Sequence, residues 1–338
     1  MKEHVMLRKS LLSLLVAAAT ISTASAATVY NNEGTVFNVT GRVQANLNSK
    51  YANNNPEKTD KTAIEGSARL GLNGQTKLNE DFAAVAFAEW NVASESSENG
   101  KFDTRFAYLG FESEKFGNLH IGQDYTAMYN VVGITDVFQD TASEATTFWD
   151  LGGGRHEGQA VYTYKLGGLY AAGSYQTAGL DNVEHGFALA AGYAFDASLP
   201  VSLNAGYDTY ELKANDEYNK HDLHSWAGSV SLGTLGDGVY AAALYQRTIE
   251  KTNTSYDSYE LVAGYGFANG LGFLVGYNER DDKDDTLLSN TYGEISYTFN
   301  SNFLVWAQAS IGTKDVVQEN GKKDRADNKY SIRAQYNF

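Results

Sequence analysis

Four arginines lie in segments whose polar and apolar residues alternate, and alternation is what a β-strand reads as two opposite faces. Arg42 shares its side with Asn38, Thr40, Gln44 and Asn46, opposite Phe37, Val39, Val43 and Leu47. Arg69 goes with Glu65 and Ser67, against Ala68, Leu70 and Leu72. Arg105 sits in the segment Thr104–Phe111, and counting back by twos from Gln159 puts Arg155 on the same polar side. Four guanidinium groups on one surface repel one another unless water, counter-ions or acids meet them. The longest polar gap, Tyr125–Glu157, carries Asp136, Asp140 and Glu144. A gap of that length is either functional or disordered. Folded toward the arginines, it sets these carboxylates across from Arg42, Arg69, Arg105 and Arg155 and creates a transverse electric field. Such a field orients and selects charged solutes without making or breaking bonds.

Motifs for covalent chemistry are missing from the sequence. His120, His156, His185, His221 and His224 are scattered, four of them read as loop residues, and no Gly-x-Ser-x-Gly elbow accompanies them. Gly152-Gly153-Gly154-Arg155 lacks the Gly-Lys-Ser/Thr that holds a phosphate. The run Asp281-Asp282-Lys283-Asp284-Asp285 lacks the glycine and closing glutamate of a calcium loop and reads as a solvated outer loop. With no cysteine there is neither a disulfide nor a thiolate metal site. The expectation is a protein that is not an enzyme, with no cofactor and no metal.

The elements that must position these charges are strands throughout. The last nine residues, Tyr330 to Phe338, alternate strictly and end on an aromatic ring. About sixteen such segments follow one another from Val36 to Phe338, most of a length that crosses a bilayer when tilted. Tight turns at Leu166-Gly167-Gly168, Ala268-Asn269-Gly270 and Asn300-Ser301-Asn302 separate them, in turn with longer polar gaps such as Tyr51–Ile64, Arg247–Asp257, Glu279–Ser289 and Gly312–Lys329. Short turns on one side, long loops on the other and an even strand count define a transmembrane antiparallel β-barrel. Same-face aromatic pairs recur at strand ends: Tyr162/Tyr164, Tyr193/Phe195, Tyr265/Phe267, Tyr297/Phe299 and Tyr336/Phe338. Amphipathic rings of this kind suit the headgroup level. With 23 Tyr, 33 Gly and 2 Pro, the composition favours long paired strands.

Lys2, Arg8 and Lys9, the apolar stretch Leu11–Ala19 and the small residues Ala24-Ser25-Ala26 form an export leader. Residues 1–26 are therefore expected to be a cleaved signal peptide, and 27–338 a single barrel domain. The formal net charge of −15 deepens once that basic leader is removed, which argues against a nucleic-acid partner.

The chain resembles the general, non-specific trimeric porins of Gram-negative outer membranes. The resemblance covers the whole mature chain and is strongest at Ala27–Gly34, Ala68-Arg69-Leu70-Gly71-Leu72, Thr104-Arg105-Phe106-Ala107-Tyr108 and Gly133-Ile134-Thr135-Asp136. It implies an all-β barrel of about sixteen strands with its third loop folded into the pore. It also implies a constriction in which Arg42, Arg69, Arg105 and Arg155 face Asp136 and Asp140. The family's Pro-Glu-Phe-Gly-Gly loop tip is absent; Gln139-Asp140-Thr141 stands near its place. By resemblance the function is passive diffusion of small hydrophilic solutes and ions across the outer membrane. The implied partners are two further copies in a homotrimer, outer-membrane lipid and lipopolysaccharide. Outward Ala84, Ala86 and Ala88 offer one face for close barrel contact. A solute-specific channel and a plugged barrel serving as an adhesin or structural anchor are the competing readings. The acidic excess suggests a mild cation preference, although net charge is a poor guide because much of it sits on loops.

Overall fold

A computed structural model describes residues 26–51, 62–94, 101–140, 144–151, 154–177, 183–213, 221–250, 254–317 and 323–338. The leader expected over residues 1–26 lies outside these, apart from Ala26.

Alternation along each strand has its physical counterpart in an inverted distribution of side chains. Val43, Leu109, Ile121, Leu203, Leu261 and Val275 point outward and are exposed, Ile121 at 57%. Gln44, Gln159, Gln246, Asn278 and Gln335 point inward and are buried, Gln246 at 0%. A sheet greasy outside and polar inside can close in a bilayer, where every backbone group must be satisfied by a neighbouring strand.

The strands are β1 (Ala27–Asn32), β2 (Thr35–Tyr51), β3 (Ala63–Lys77), β4 (Ala83–Val92), β5 (Phe102–Glu112), β6 (Asn118–Tyr125), β7 (Arg155–Leu166), β8 (Leu169–Gln176), β9 (Val183–Phe195) and β10 (Val201–Leu212). They continue as β11 (His221–Thr234), β12 (Asp237–Glu250), β13 (Ser255–Gly266), β14 (Leu271–Asp281), β15 (Thr286–Thr298), β16 (Phe303–Gly312), β17 (Asp315–Val317), β18 (Lys323–Arg325) and β19 (Asn328–Asn337). From β2 to β16 each strand pairs antiparallel with the next, and β19 pairs with both β16 and β2, which closes a sixteen-stranded barrel.

Four features do not show in the sequence. β1 folds back on Thr35–Val39, covering the stretch of β2 edge that β19 leaves unpaired beyond Arg42. An edge left bare there would invite pairing with another chain. β17 and β18 form a small hairpin of their own in the gap after β16. The acidic run is no long loop. β14 reaches Asp281 and β15 starts at Thr286, joined by a tight turn in which Asp282 accepts hydrogen bonds from the backbone N–H groups of Asp284 and Asp285. The four histidines read as loop residues also lie on strands, His156 on β7, His185 on β9, and His221 and His224 on β11. The hairpin, the acidic turn and the histidines share one cause. Beyond the bilayer an outer wall has no hydrocarbon to face, so its strands lose the apolar/polar alternation that made the others visible.

The aromatic pairs behave as expected. Tyr193–Phe195, Tyr265–Phe267 and Tyr297–Phe299 touch at centroid distances of 4.8, 4.6 and 4.7 Å beside the short turns. A second belt toward the other rim contains Phe187, Tyr207, Trp226 and Tyr259, all exposed, with Tyr245 half-buried among them. From Phe195 to Phe187 the strand rises about 26 Å, enough when tilted to bracket the hydrocarbon layer.

The apolar core sits inside the barrel, between its wall and the segment joining β6 to β7. This segment holds a short helix α1 (Tyr129–Val132) and a 3-10 turn over Thr147–Asp150. Met128, Val131 and Val132 pack on Ala172, Ala188 and Leu244 of the wall. Further along, Ile134, Val137 and Phe138 pack on Tyr240, Val262 and Tyr292.

Candidate functional site

The loop between β6 and β7 runs along the inner faces of β8 to β15 and leaves the opposite wall, β19 and β2 to β7, facing the open lumen. Inward polar side chains pin it. Glu260 on β13 accepts hydrogen bonds from the Thr135 hydroxyl and from the Ala145 backbone N–H, the latter at 3.1 Å. Gln246 on β12 accepts from the Thr147 N–H at 2.9 Å, and Glu294 on β15 accepts from the Gln139 N–H at 2.8 Å. Arg280 on β14 donates to the carbonyls of Glu144, Ala145 and Thr146 and pairs with the Asp150 carboxylate at 2.9 Å. These groups do not appear in a reading of charges alone, because nothing in the sequence says which strand the loop will lie against.

The arginine wall is assembled as expected, though not wholly for the expected reason. Arg42 and Arg69 are direct cross-strand partners on β2 and β3. Arg105 reaches the lumen through a bulge. Glu89 of β4 pairs with Phe106 and Trp90 with Thr104, so Arg105 is the extra residue of β5. Strict alternation from the inward Tyr108 and Phe106 would have turned Arg105 to the lipid; the bulge puts it on the inner side beside Phe106. There its Nε donates to Glu89 at 2.5 Å, while Arg69 lies 4.0 Å from the same carboxylate oxygen and donates to Asn91 at 3.1 Å. Arg155, at the start of β7, donates to the Tyr125 hydroxyl at 3.0 Å and lies 5.4 and 5.7 Å above the Tyr125 and Phe106 rings, within cation–π range.

The acids divide. Asp136 is half-buried and accepts from the Tyr129 hydroxyl at 3.2 Å, near enough to Arg155 and Arg105 for both positive charges to act on it. Asp140 pairs with Arg333 on β19 rather than with any of the four arginines expected. Arg333 stands on the polar side of the last strand in the sequence, but its place opposite Asn46 of β2, the strand that carries Arg42, depends on ring closure. Glu89, likewise unpredicted, is the acid between Arg69 and Arg105. Tyr125 and Tyr129 stack at 3.7 Å and, with Phe148 and Trp149, stiffen the root of the loop.

A closed, polar-lined barrel of sixteen strands, narrowed by an inward loop opposite a row of arginines, is the architecture of a diffusion channel of the porin class. The family model described as Gram-negative porin matches residues 12–338, and the chain belongs to that family. Porin-like protein L of Photobacterium profundum is 29% identical over 98% of this chain and 100% of its own length. Among solved structures, Salmonella typhi OmpF in complex with daunomycin superposes with a TM-score of 0.77 at 21% identity, covering 92% of this chain and all of that one. The trimer form of Vibrio cholerae OmpT gives 0.68 at 17% identity, over 90% and 100% of the two chains. The chain is an outer-membrane porin, a channel for passive diffusion of solutes.

Proposed function

We propose that solutes pass this porin through a gap bounded by Arg42, Arg69, Arg105, Arg155 and Arg333 on one side and by the β6–β7 loop with Asp136 and Asp140 on the other. The observation that carries this reading is the Arg42–Arg69 pair. Two guanidinium groups at directly opposed positions of adjacent strands are unfavourable in a dry interior and are tolerated where water or passing ions screen them. Sieving follows from the distance between wall and loop, and orientation of dipolar solutes from the field across it. No step in this mechanism alters a solute chemically.

Replacing both Arg69 and Arg105 by alanine is expected to widen the gap and leave Glu89 without its two cations. In a planar bilayer the open-channel current rises and the reversal potential moves toward cations. Unchanged current and reversal potential would remove these residues from the constriction.

On this reading residues 1–26 are a leader cleaved before Ala27, and the mature chain inserts as a homotrimer among outer-membrane lipid and lipopolysaccharide. Support for the trimer comes from family membership, from the V. cholerae OmpT solved in a trimer form, and from Ala84, Ala86 and Ala88, which alternate with buried Val85 and Phe87 and so present small residues outward on β4. Cross-linking in mild detergent before heating is expected to yield a three-chain species. Migration as a single chain under those conditions argues against it.

A further inference from the structure

The chain as a whole is strongly acidic, yet the acids and bases are not distributed evenly through the lumen. Five guanidinium groups line the gap, and three carboxylates, Glu89, Asp136 and Asp140, lie among them. Glu89 is engaged by Arg105 and Arg69, and Asp140 by Arg333. Arg42 and Arg155 form no ion pair with a carboxylate among the described residues, Arg155 acting on Asp136 only at longer range, and in strand order they flank Arg69, Glu89 and Arg105. The Nε–H groups of Arg42 and Arg333 are buried and have no acceptor among the described residues. The opposing wall does not restore the balance. Glu260 and Glu294, 2% and 6% exposed, are turned behind the loop, where their oxygens accept hydrogen bonds from it. Much of the remaining acid lies at the rim, as in the turn Asp281–Asp285, and is screened by bulk salt.

We infer that the constriction is anion-selective, against the sign of the chain's net charge, and that Arg42 with Arg69 forms a transient docking patch for carboxylate- or phosphate-bearing solutes. This inference rests on the open-pore reading above and names the solute class that pore prefers. Unpaired positive charge in a narrow passage with low-dielectric walls raises the local anion concentration. The guanidinium fork matches the two oxygens of a carboxylate or phosphate.

The test is the reversal potential of the native mature protein in a planar bilayer across a KCl gradient. On the dilute side, at about 0.1 M, the Debye length is about 10 Å; near 1 M it is about 3 Å. Chloride is expected to permeate over potassium by about twofold or more at low salt, with the ratio falling toward unity near 1 M. Arg42→Gln combined with Arg155→Gln is expected to abolish the chloride preference, its reversal potential moving to that of an unselective channel. If that variant fails to insert, the salt dependence of the native channel decides the matter. A stable current that prefers potassium at low salt overturns the inference and leaves the pore reading standing. A correctly inserted protein that passes no current overturns both.

Discussion

Substituting both Glu260 and Arg280 by alanine is expected to release the β6–β7 loop from the barrel wall, making the channel current larger and unsteady while the barrel stays assembled. Glu260 holds two points of the loop at once, Thr135 on the outgoing limb and Ala145 on the returning one. Arg280 clamps three successive carbonyls and the Asp150 carboxylate. A hydrogen bond in which one partner is charged contributes about 1.5–3 kcal/mol at each point of attachment. The apolar contacts of Ile134, Val137 and Phe138 contribute about 1.5–3 kcal/mol for each fully buried side chain. That sum is of the same order as the loss at both anchors. The double variant should therefore lift the loop intermittently instead of expelling it. Glu260→Gln is the control: an amide oxygen still accepts from Ala145, and a quiet current should persist. A double variant with the native current trace would show that the polar anchors do not hold the loop.

Gly41→Val is expected to abolish assembly. The barrel closes where Gly41 and Phe338 exchange backbone hydrogen bonds of 2.8 and 3.0 Å. A Cβ placed at position 41 would sit 2.5 Å from the Phe338 ring and 2.7 Å from the Arg69 carbonyl oxygen. The ring could swing aside; the carbonyl belongs to the β2–β3 ladder and cannot move without breaking it. Overpacking in a close-packed site usually costs about 1–3 kcal/mol. Here the clash falls on the seam that joins the first and last strands, so it blocks closure and not merely one contact. The folded, heat-modifiable band in unheated electrophoresis should disappear. Gly293→Ala meets no atom within 4 Å and should fold normally. A Gly41→Val protein that still gives the folded band would refute the steric account of the seam.

Legibility in the sequence followed the bilayer. Where a strand separates hydrocarbon from water its two faces must differ, and Val36–Lys50, Thr104–Phe111 and Tyr330–Phe338 declare themselves by that difference alone. Where a strand rises above the membrane both faces are wet, so Arg247–Asp257 and Glu279–Ser289 present themselves in sequence as long polar gaps although strands β12 to β15 run well into them. The arginine row was legible in outline because each member sits in a visible strand. Arg105 is the instructive case. It points inward as expected, but through a bulge opposite Glu89 that alternation does not reveal.

From the sequence alone came the class of sheet, the direction of each face, the girdles at the short turns and the inward side of Arg42, Arg69 and Arg155. These depend on local periodicity and on the solvent each side must meet. Which acid meets which base was decided by tertiary structure. Asp140 finds Arg333 because ring closure sets β19 beside β2, and Glu89 stands between Arg69 and Arg105 because three strands come into register. Glu260 and Arg280 hold the loop because it happens to cross their strands. Charge pairing in a lumen depends on distances between residues far apart in the chain, and only the closed barrel determines those distances.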